Sequence, residues 1–176
     1  METELEKVLM SFYKEEMILY IANHPESFEE LVQLALDDKQ PYSWRAAWLL
    51  WSCVEENDRR IKSHIRSIIS SLKGKNDGHQ RELIKILYLM DLDENHEGIL
   101  FDHCISIWEK INKQPSVRFN AFKMIVKISR KYPELSQEIG FLLQDHYLET
   151  LSPGVRRGLL KMTNHLNNTS TNETHK

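Results

Sequence analysis

The chain has 176 residues, of which 41% are hydrophobic and 28% charged, and its formal net charge is −3. These proportions are typical of a folded globular protein, and they exclude a disordered chain. The acidic balance argues against a general phosphate-binding surface, because surfaces that bind nucleic acids carry an excess of Lys and Arg.

The sequence also favours a cytoplasmic location. Its two cysteines, Cys53 and Cys104, both lie within apolar helical patterns, as expected of buried free thiols in a reducing compartment. The acidic start of the chain, residues 1–6, lacks the basic and apolar parts of a signal peptide. No stretch approaches the roughly 20 apolar residues that span a bilayer. We therefore expect a cytoplasmic protein that does not bind membranes.

The first predicted element is an amphipathic helix over residues 4–22. Its apolar residues recur at helical spacing, its pattern is compatible with a break near Tyr13, and it ends before Pro25. No later part of the chain repeats this segment. We interpret residues 1–25 as an N-terminal cap, because the terminal unit of a helical stack needs one apolar and one polar face.

After the cap, a motif in which an Arg starts an apolar helix occurs four times. The Arg residues are separated by 36, 37 and 38 residues, and they are Arg45, Arg81, Arg118 and Arg156. An outer helix is predicted before each of them, over residues 27–36, 58–72, 97–111 and 134–151. The predicted helix starts include Ser27, Asp58 and Ser116 as N-caps, and Pro133 as a first residue.

A period of this length with helical content is typical of stacked helical hairpins. We therefore predict an all-α fold, an α-α superhelix of about four helical hairpins plus the capping helix. A single domain would cover residues 1–166, and a disordered polar tail would cover 167–176. The predicted repeats span about 26–56, 57–93, 94–132 and 133–166.

The recurring Arg allows two interpretations. It lies in the first turn of each inner helix, where a cation is electrostatically unfavourable unless a partner compensates it. The structural interpretation is that the guanidinium bonds carbonyls of the preceding loop, or an acidic residue such as Asp38 or Asp77. The functional interpretation is that the four Arg form a row that binds an anionic partner.

Three tryptophans of the first inner helix share one face. Trp44, Trp48 and Trp51 are spaced i, i+4 and i+7. Either these side chains pack in the core between outer helices, or they form an aromatic patch that anchors a partner or stacks on a base.

Motifs of catalysis are missing from the sequence. Eight His residues are present, but neither His96-Glu97 nor His103-Cys104 has a second ligand pair at metal-binding spacing. We find no phosphate-binding Gly loop, nucleophile elbow or dinucleotide fingerprint. The sequence thus predicts a protein that is not an enzyme and that uses no metal and no cofactor.

The four units with their repeated Arg resemble HEAT and armadillo repeats over about residues 27–166. The run Ser43-Trp44-Arg45-Ala46-Ala47-Trp48 resembles, more narrowly, small Bacteroidetes HEAT-like proteins of unknown function, some of them labelled adenylosuccinate lyase. The Gly-Ser-Ser-x-Met-Pro-x-Lys-x-Asn loop of that lyase superfamily is absent here.

The resemblance implies a binding module or scaffold whose concave face, formed by the inner helices, holds a protein or peptide. The candidate contact residues are Arg45, Trp48, Trp51, Arg81, Arg118 and Arg156. The alternative is a nucleic-acid binder similar to the HEAT-like alkylpurine DNA glycosylases, which use Trp, Asp and Arg on a basic concave surface. The acidic net charge disfavours that alternative.

Overall fold

A computed structural model describes the backbone of residues 2–170, and the side chains of this range except those of residues 136, 137 and 164–170. Within this range the chain forms helices and no strand, which confirms the all-α fold class. The backbone divides into two compact units, one up to His96 and one from Glu97 onward. The helices of the first unit are α1 (Glu4–Ser11), α2 (Lys14–Asn23), α3 (Ser27–Leu36), α4 (Tyr42–Cys53), α5 (Arg59–Lys62), α6 (Ile65–Ser71) and α7 (Asp77–Tyr88).

Helix α4 is the centre of the first unit. It packs against α1, α2, α3 and α7. One face of α4 is fully buried because Ala46, Ala47, Leu49 and Leu50 have no exposed surface. Helices α3 and α7 both pack against α4. The Trp-containing helix predicted from the sequence therefore lies in the core of this unit.

The predicted N-terminal helix is broken where its pattern allowed a break. Helix α1 begins at a capping box in which Thr3 and Glu6 bond each other's backbone N–H groups. It ends before Phe12, which is extended, and α2 starts after Tyr13, whose N–H donates to Glu16 Oε2 over 2.8 Å. Two helices therefore meet at a two-residue aromatic turn, Phe12-Tyr13.

The predicted outer helix over residues 58–72 is also split. Asp58 is its N-cap as predicted, but the helix stops at Lys62 and resumes at Ile65. Ser63 and His64, which have weak helix propensity, form the turn between α5 and α6. His64 Nε2 lies 3.0 Å from Glu29 Oε2 of α3. The apolar residues keep the buried positions predicted from their spacing, so the interruption falls on the exposed face.

Two turns of the first unit are joined by an asparagine. Asn57 has φ +55°, in the left-handed region that Asn tolerates better than most residues. Its side-chain amide donates to Asp91 Oδ2 over 2.7 Å and accepts from the Asp91 N–H over 2.6 Å. The turn after α4 is thereby fixed to the turn after α7.

The second unit contains α8 (Glu94–Glu109), which begins in the first unit, α9 (Pro115–Ser129), a 3-10 turn (Pro133–Leu135), α10 (Ser136–Leu142), α11 (Asp145–Leu148) and α12 (Pro153–Ser170). The predicted helix over residues 134–151 is therefore divided in three. Helix α12 includes residues 167–170 of the predicted tail. The rest of that tail, 171–176, lies outside the described residues. Helix α9 packs against α12 and the 3-10 turn.

Two of the predicted N-caps were wrong. The N-cap residue of α3 is Glu26, and Ser27 is already helical. The N-cap of α9 is Gln114, and Pro115 occupies the first helical position, where its missing N–H costs no hydrogen bond. Pro133 starts the 3-10 turn rather than an α-helix.

Candidate binding cleft

An aromatic cleft opens on the first unit between the Phe12-Tyr13 turn and helix α4. Its volume is about 230 Å³, and it is lined by Phe12, Tyr13, Lys14, Met17, Trp44, Arg45 and Trp48. The turn and helix α2 supply one wall, and the first two turns of α4 supply the other. We call this feature the aromatic cleft.

The buried face of α4 determines where its tryptophans point. Because Ala46, Ala47, Leu49 and Leu50 fill the core, the i, i+4, i+7 face is left at the border with solvent. Trp44, Trp48 and Trp51 are all half-buried. The three tryptophans are therefore neither fully in the core nor fully exposed. Trp44 and Trp48 form a wall of the cleft.

The opposite wall carries apolar surface that faces solvent. Phe12 is 44% exposed and Tyr13 is 82% exposed. Single exposed apolar residues are ordinary on protein surfaces, but adjacent exposed aromatic residues that line a cleft are typical of interaction sites.

Two cations and no carboxylate line the cleft. Lys14 Nζ lies 5.6 Å from the centroid of the Trp48 ring. Arg45 donates through Nε to the backbone carbonyl of Leu9 at the end of α1. Among the described residues neither cation forms an ion pair with Asp or Glu. The cleft is thus apolar on its walls and positively charged at two points.

The third tryptophan belongs to a neighbouring polar cluster. Lys85 Nζ lies 3.3 Å from the centroid of the Trp51 ring. The same ammonium is 2.7 Å from Glu82 Oε2, and Arg81 Nη2 is 2.7 Å from Glu82 Oε1. Glu82 itself is buried. Trp51 and Arg81 therefore lie at a partly buried cluster of two cations and one carboxylate on α4 and α7.

The other two predicted Arg residues lie in the second unit and bond backbone carbonyls. Arg118 is fully buried and donates to the carbonyls of Trp108 and Tyr147 over 2.9 and 2.7 Å. Arg156 donates to the carbonyls of Leu151 and Glu149, both over 2.9 Å. Only Arg156 bonds carbonyls next to the turn that precedes its helix, because Arg45 bonds a carbonyl of α1 and Arg118 bonds carbonyls of α8 and α11. Of the acidic partners suggested for the recurring Arg, Asp38 pairs with Lys75 instead.

Five lining residues were not among the candidate contact residues. These are Phe12, Tyr13, Lys14, Met17 and Trp44, of which the sequence placed only Trp44 on the predicted tryptophan face. A local signal for two of them was present, since adjacent aromatic residues at a helix break have no helical face on which to be buried. Their meeting with Trp44 and Trp48 has no local signal, because it depends on how α2 packs against α4.

The thiols and possible metal ligands indicate no reactive centre in the described part of the chain. Burial raises the pKa of the Cys53 thiol to about 11 and raises that of Cys104 further. No group of three or more His, Cys, Asp or Glu with metal-binding geometry occurs among the described residues.

None of the described helices combines the length and apolar character needed to cross a membrane.

The helices, together with the Arg that recurs after 36, 37 and 38 residues, define the class of this protein as an all-α repeat protein. The family model of the HEAT repeat domain matches residues 1–165. That match covers most of the chain, so the protein belongs to the HEAT repeat family. A search of curated proteins and a search of solved structures each found no match.

Proposed function

We propose that this protein is a non-enzymatic binding module that holds a protein or peptide partner at the aromatic cleft. HEAT repeats commonly mediate protein interactions. The observation that carries the proposal is the composition of the cleft, in which four aromatic side chains, a methionine and two cations meet on one surface. Aromatic residues and Arg are enriched where proteins bind one another.

The proposal uses only some of the candidate contact residues predicted from the sequence. Arg45 and Trp48 line the cleft, and Trp51 and Arg81 lie on the neighbouring α4–α7 surface. It leaves out Arg118 and Arg156, because their guanidinium groups already bond carbonyls of their own unit. Moving the Arg118 guanidinium away would leave the buried Trp108 carbonyl without its donor.

Charge separates this proposal from a nucleic-acid binder. Two cations at a single cleft neutralise few phosphates, whereas nucleic-acid binding depends on many such contacts. The net charge of −3 and the exposed Glu15 and Glu16 beside Lys14 would repel a polyanion. A cytoplasmic location is part of the same proposal, and the two free thiols Cys53 and Cys104 support it.

The experiment is affinity capture from a lysate of the source cells, treated or not treated with nuclease. The baits are the wild-type protein, the Trp48→Ala variant and a control, Phe141→Ala, which removes an aromatic side chain 66% exposed on the other unit. We expect one protein to be retained after nuclease treatment by the wild type and the control, and to be lost with Trp48→Ala.

Two results would contradict the proposal. Capture that disappears with nuclease would assign the surface to nucleic acid. Capture that is equal for all three baits would show that the aromatic cleft has no part in binding. Thermal unfolding of each bait, measured in parallel, checks that the variants are folded.

A further inference from the structure

We propose that the aromatic cleft binds a peptide segment in which one apolar side chain lies next to a single carboxylate. This inference rests on the proposed function and specifies the chemistry of the partner. It requires a site with an apolar part of limited size, an anion-binding part beside it, and surroundings that reject a more highly charged ligand.

The size of the cleft limits the apolar part to one large side chain. Its volume of about 230 Å³ is below the roughly 300–1,000 Å³ of pockets that enclose drug-sized ligands. Aromatic rings of Phe12, Tyr13, Trp44 and Trp48 provide flat apolar walls. A side chain placed between such walls buries most of its surface, at a gain of about 25 cal/mol per Å².

The anion-binding part follows from the two cations. Arg45 has five N–H donors, of which the Leu9 carbonyl accepts the one on Nε. Lys14 has three donors on an exposed ammonium group. Of the two carboxyl groups that follow Lys14 in sequence, that of Glu15 is exposed, and that of Glu16 accepts from the Tyr13 N–H. A ligand carboxylate would therefore meet donors that no described carboxylate of the chain engages.

The surroundings set the limit of one negative charge. Glu15 and Glu16 are both exposed and directly follow Lys14 on α2. A ligand with a run of acidic residues or phosphates would bring its further charges close to these carboxylates, which costs energy even in a screened solution. A ligand with one carboxylate beside an apolar group would bind the two cations without that repulsion.

The first experiment selects the ligand without assuming its sequence. A phage-displayed library of random 12-residue peptides is panned on the wild-type protein after depletion on the Trp48→Ala variant. We expect the enriched peptides to share one Asp or Glu within two residues of Phe, Trp, Leu, Ile or Met. Enrichment of basic or uncharged peptides, or no enrichment beyond the depleting variant, would overturn the proposal.

The second experiment measures the carboxylate directly. One enriched peptide and its Asp→Asn or Glu→Gln form are titrated into 15N-labelled protein, and the four tryptophan indole N–H signals are followed. We expect the signals of Trp44 and Trp48 to shift, and that of Trp108 to stay, because its indole donates to the Leu142 carbonyl inside the other unit. The amide peptide should bind roughly tenfold more weakly, through loss of a charge-assisted hydrogen bond.

A matched pair of protein variants identifies the cation. Lys14→Gln should reduce the difference between the acid and amide peptides, because only Arg45 would remain to bind the carboxylate, whereas Lys62→Gln, at an exposed lysine of α5, should preserve it. An unchanged difference in Lys14→Gln would overturn the role of Lys14. If peptides of the wrong charge bind while lysate capture still requires Trp48, the inference fails and the proposed function stands.

Discussion

Arg118 and Trp108 are joined twice in the second unit. The guanidinium carbon of Arg118 lies 4.6 Å from the centroid of the Trp108 ring, and Arg118 Nε donates to the Trp108 carbonyl over 2.9 Å. Trp108 is also fully buried and packs 4.6 Å from the Phe122 ring, measured between centroids. The recurring Arg of the third repeat therefore holds the end of α8 against the start of α9.

The first prediction follows from this contact. Arg118→Leu should lower the free energy of unfolding by about 3 kcal/mol, because the carbonyls of Trp108 and Tyr147 lose a charged donor. Arg157→Leu, which changes an exposed residue of α12, should alter it by less than about 0.5 kcal/mol. Urea unfolding of both variants gives the comparison. Equal stability of the two variants would show that Arg118 is not structural.

The second prediction concerns the ion cluster on α7. Glu82→Gln should destabilise the protein by about 1–3 kcal/mol, because Arg81 and Lys85 would each lose a charged acceptor at a buried position. The matched control is Glu56→Gln at an exposed turn position. Thermal unfolding monitored by circular dichroism measures both. A loss no larger for Glu82→Gln than for Glu56→Gln would be the contrary result.

The third prediction concerns pH. His79 is fully buried, its Nε2 donates to the Ala35 carbonyl over 2.7 Å, and burial lowers its pKa below 6.5. The imidazole of His79 therefore binds a proton less readily in the folded state than in the unfolded state. The contribution of neutral His79 to stability is present above pH 6.5 and is lost as the pH falls through the lowered pKa.

This dependence is measured as a difference between variants. The free energy of unfolding of the wild type should exceed that of His79→Gln by less at pH 5 than at pH 7.5. The difference in free energy of unfolding from Ser67→Ala, at an exposed residue of α6 that does not titrate, should remain constant. Urea titrations at each pH provide the values, and an advantage over His79→Gln that grows on acidification would be the opposite of the expected result.

The fourth prediction concerns thiol reactivity. At pH 7.5 the Cys53 thiol, with a pKa of about 11, should react with iodoacetamide roughly 100-fold more slowly than an ordinary thiol, because the thiolate is the nucleophile. Cys104 is fully buried and should be modified only in denaturant. Mass spectrometry of the labelled protein follows both sites. Rapid labelling of Cys104 in the native protein would contradict its burial.

Helix positions were predictable where apolar spacing and chain breakers agree. The predicted helix over residues 27–36 coincides with α3, because its apolar residues lie on one stripe and the sequence after Leu36 is polar. The predicted helix over 134–151 was not recovered as one element. Its apolar spacing permits a continuous helix, whereas the chain changes from a 3-10 turn to α10 after Leu135 and leaves the helix again between Leu142 and Asp145.

The sequence by itself determined that this chain is an all-α repeat protein with an Arg at the start of four successive inner helices. That information is local, because spacing and helix-start residues act within a few positions along the chain. Only the tertiary structure showed which group each Arg binds. These are the Leu9 carbonyl for Arg45, the Glu82 carboxylate for Arg81, the Trp108 carbonyl for Arg118, and the Leu151 and Glu149 carbonyls for Arg156. Likewise, the aromatic cleft forms because α2 packs against α4, which brings Tyr13 beside residues some 30 positions away. Such contacts depend on how helices pack, and no periodicity along the chain encodes them.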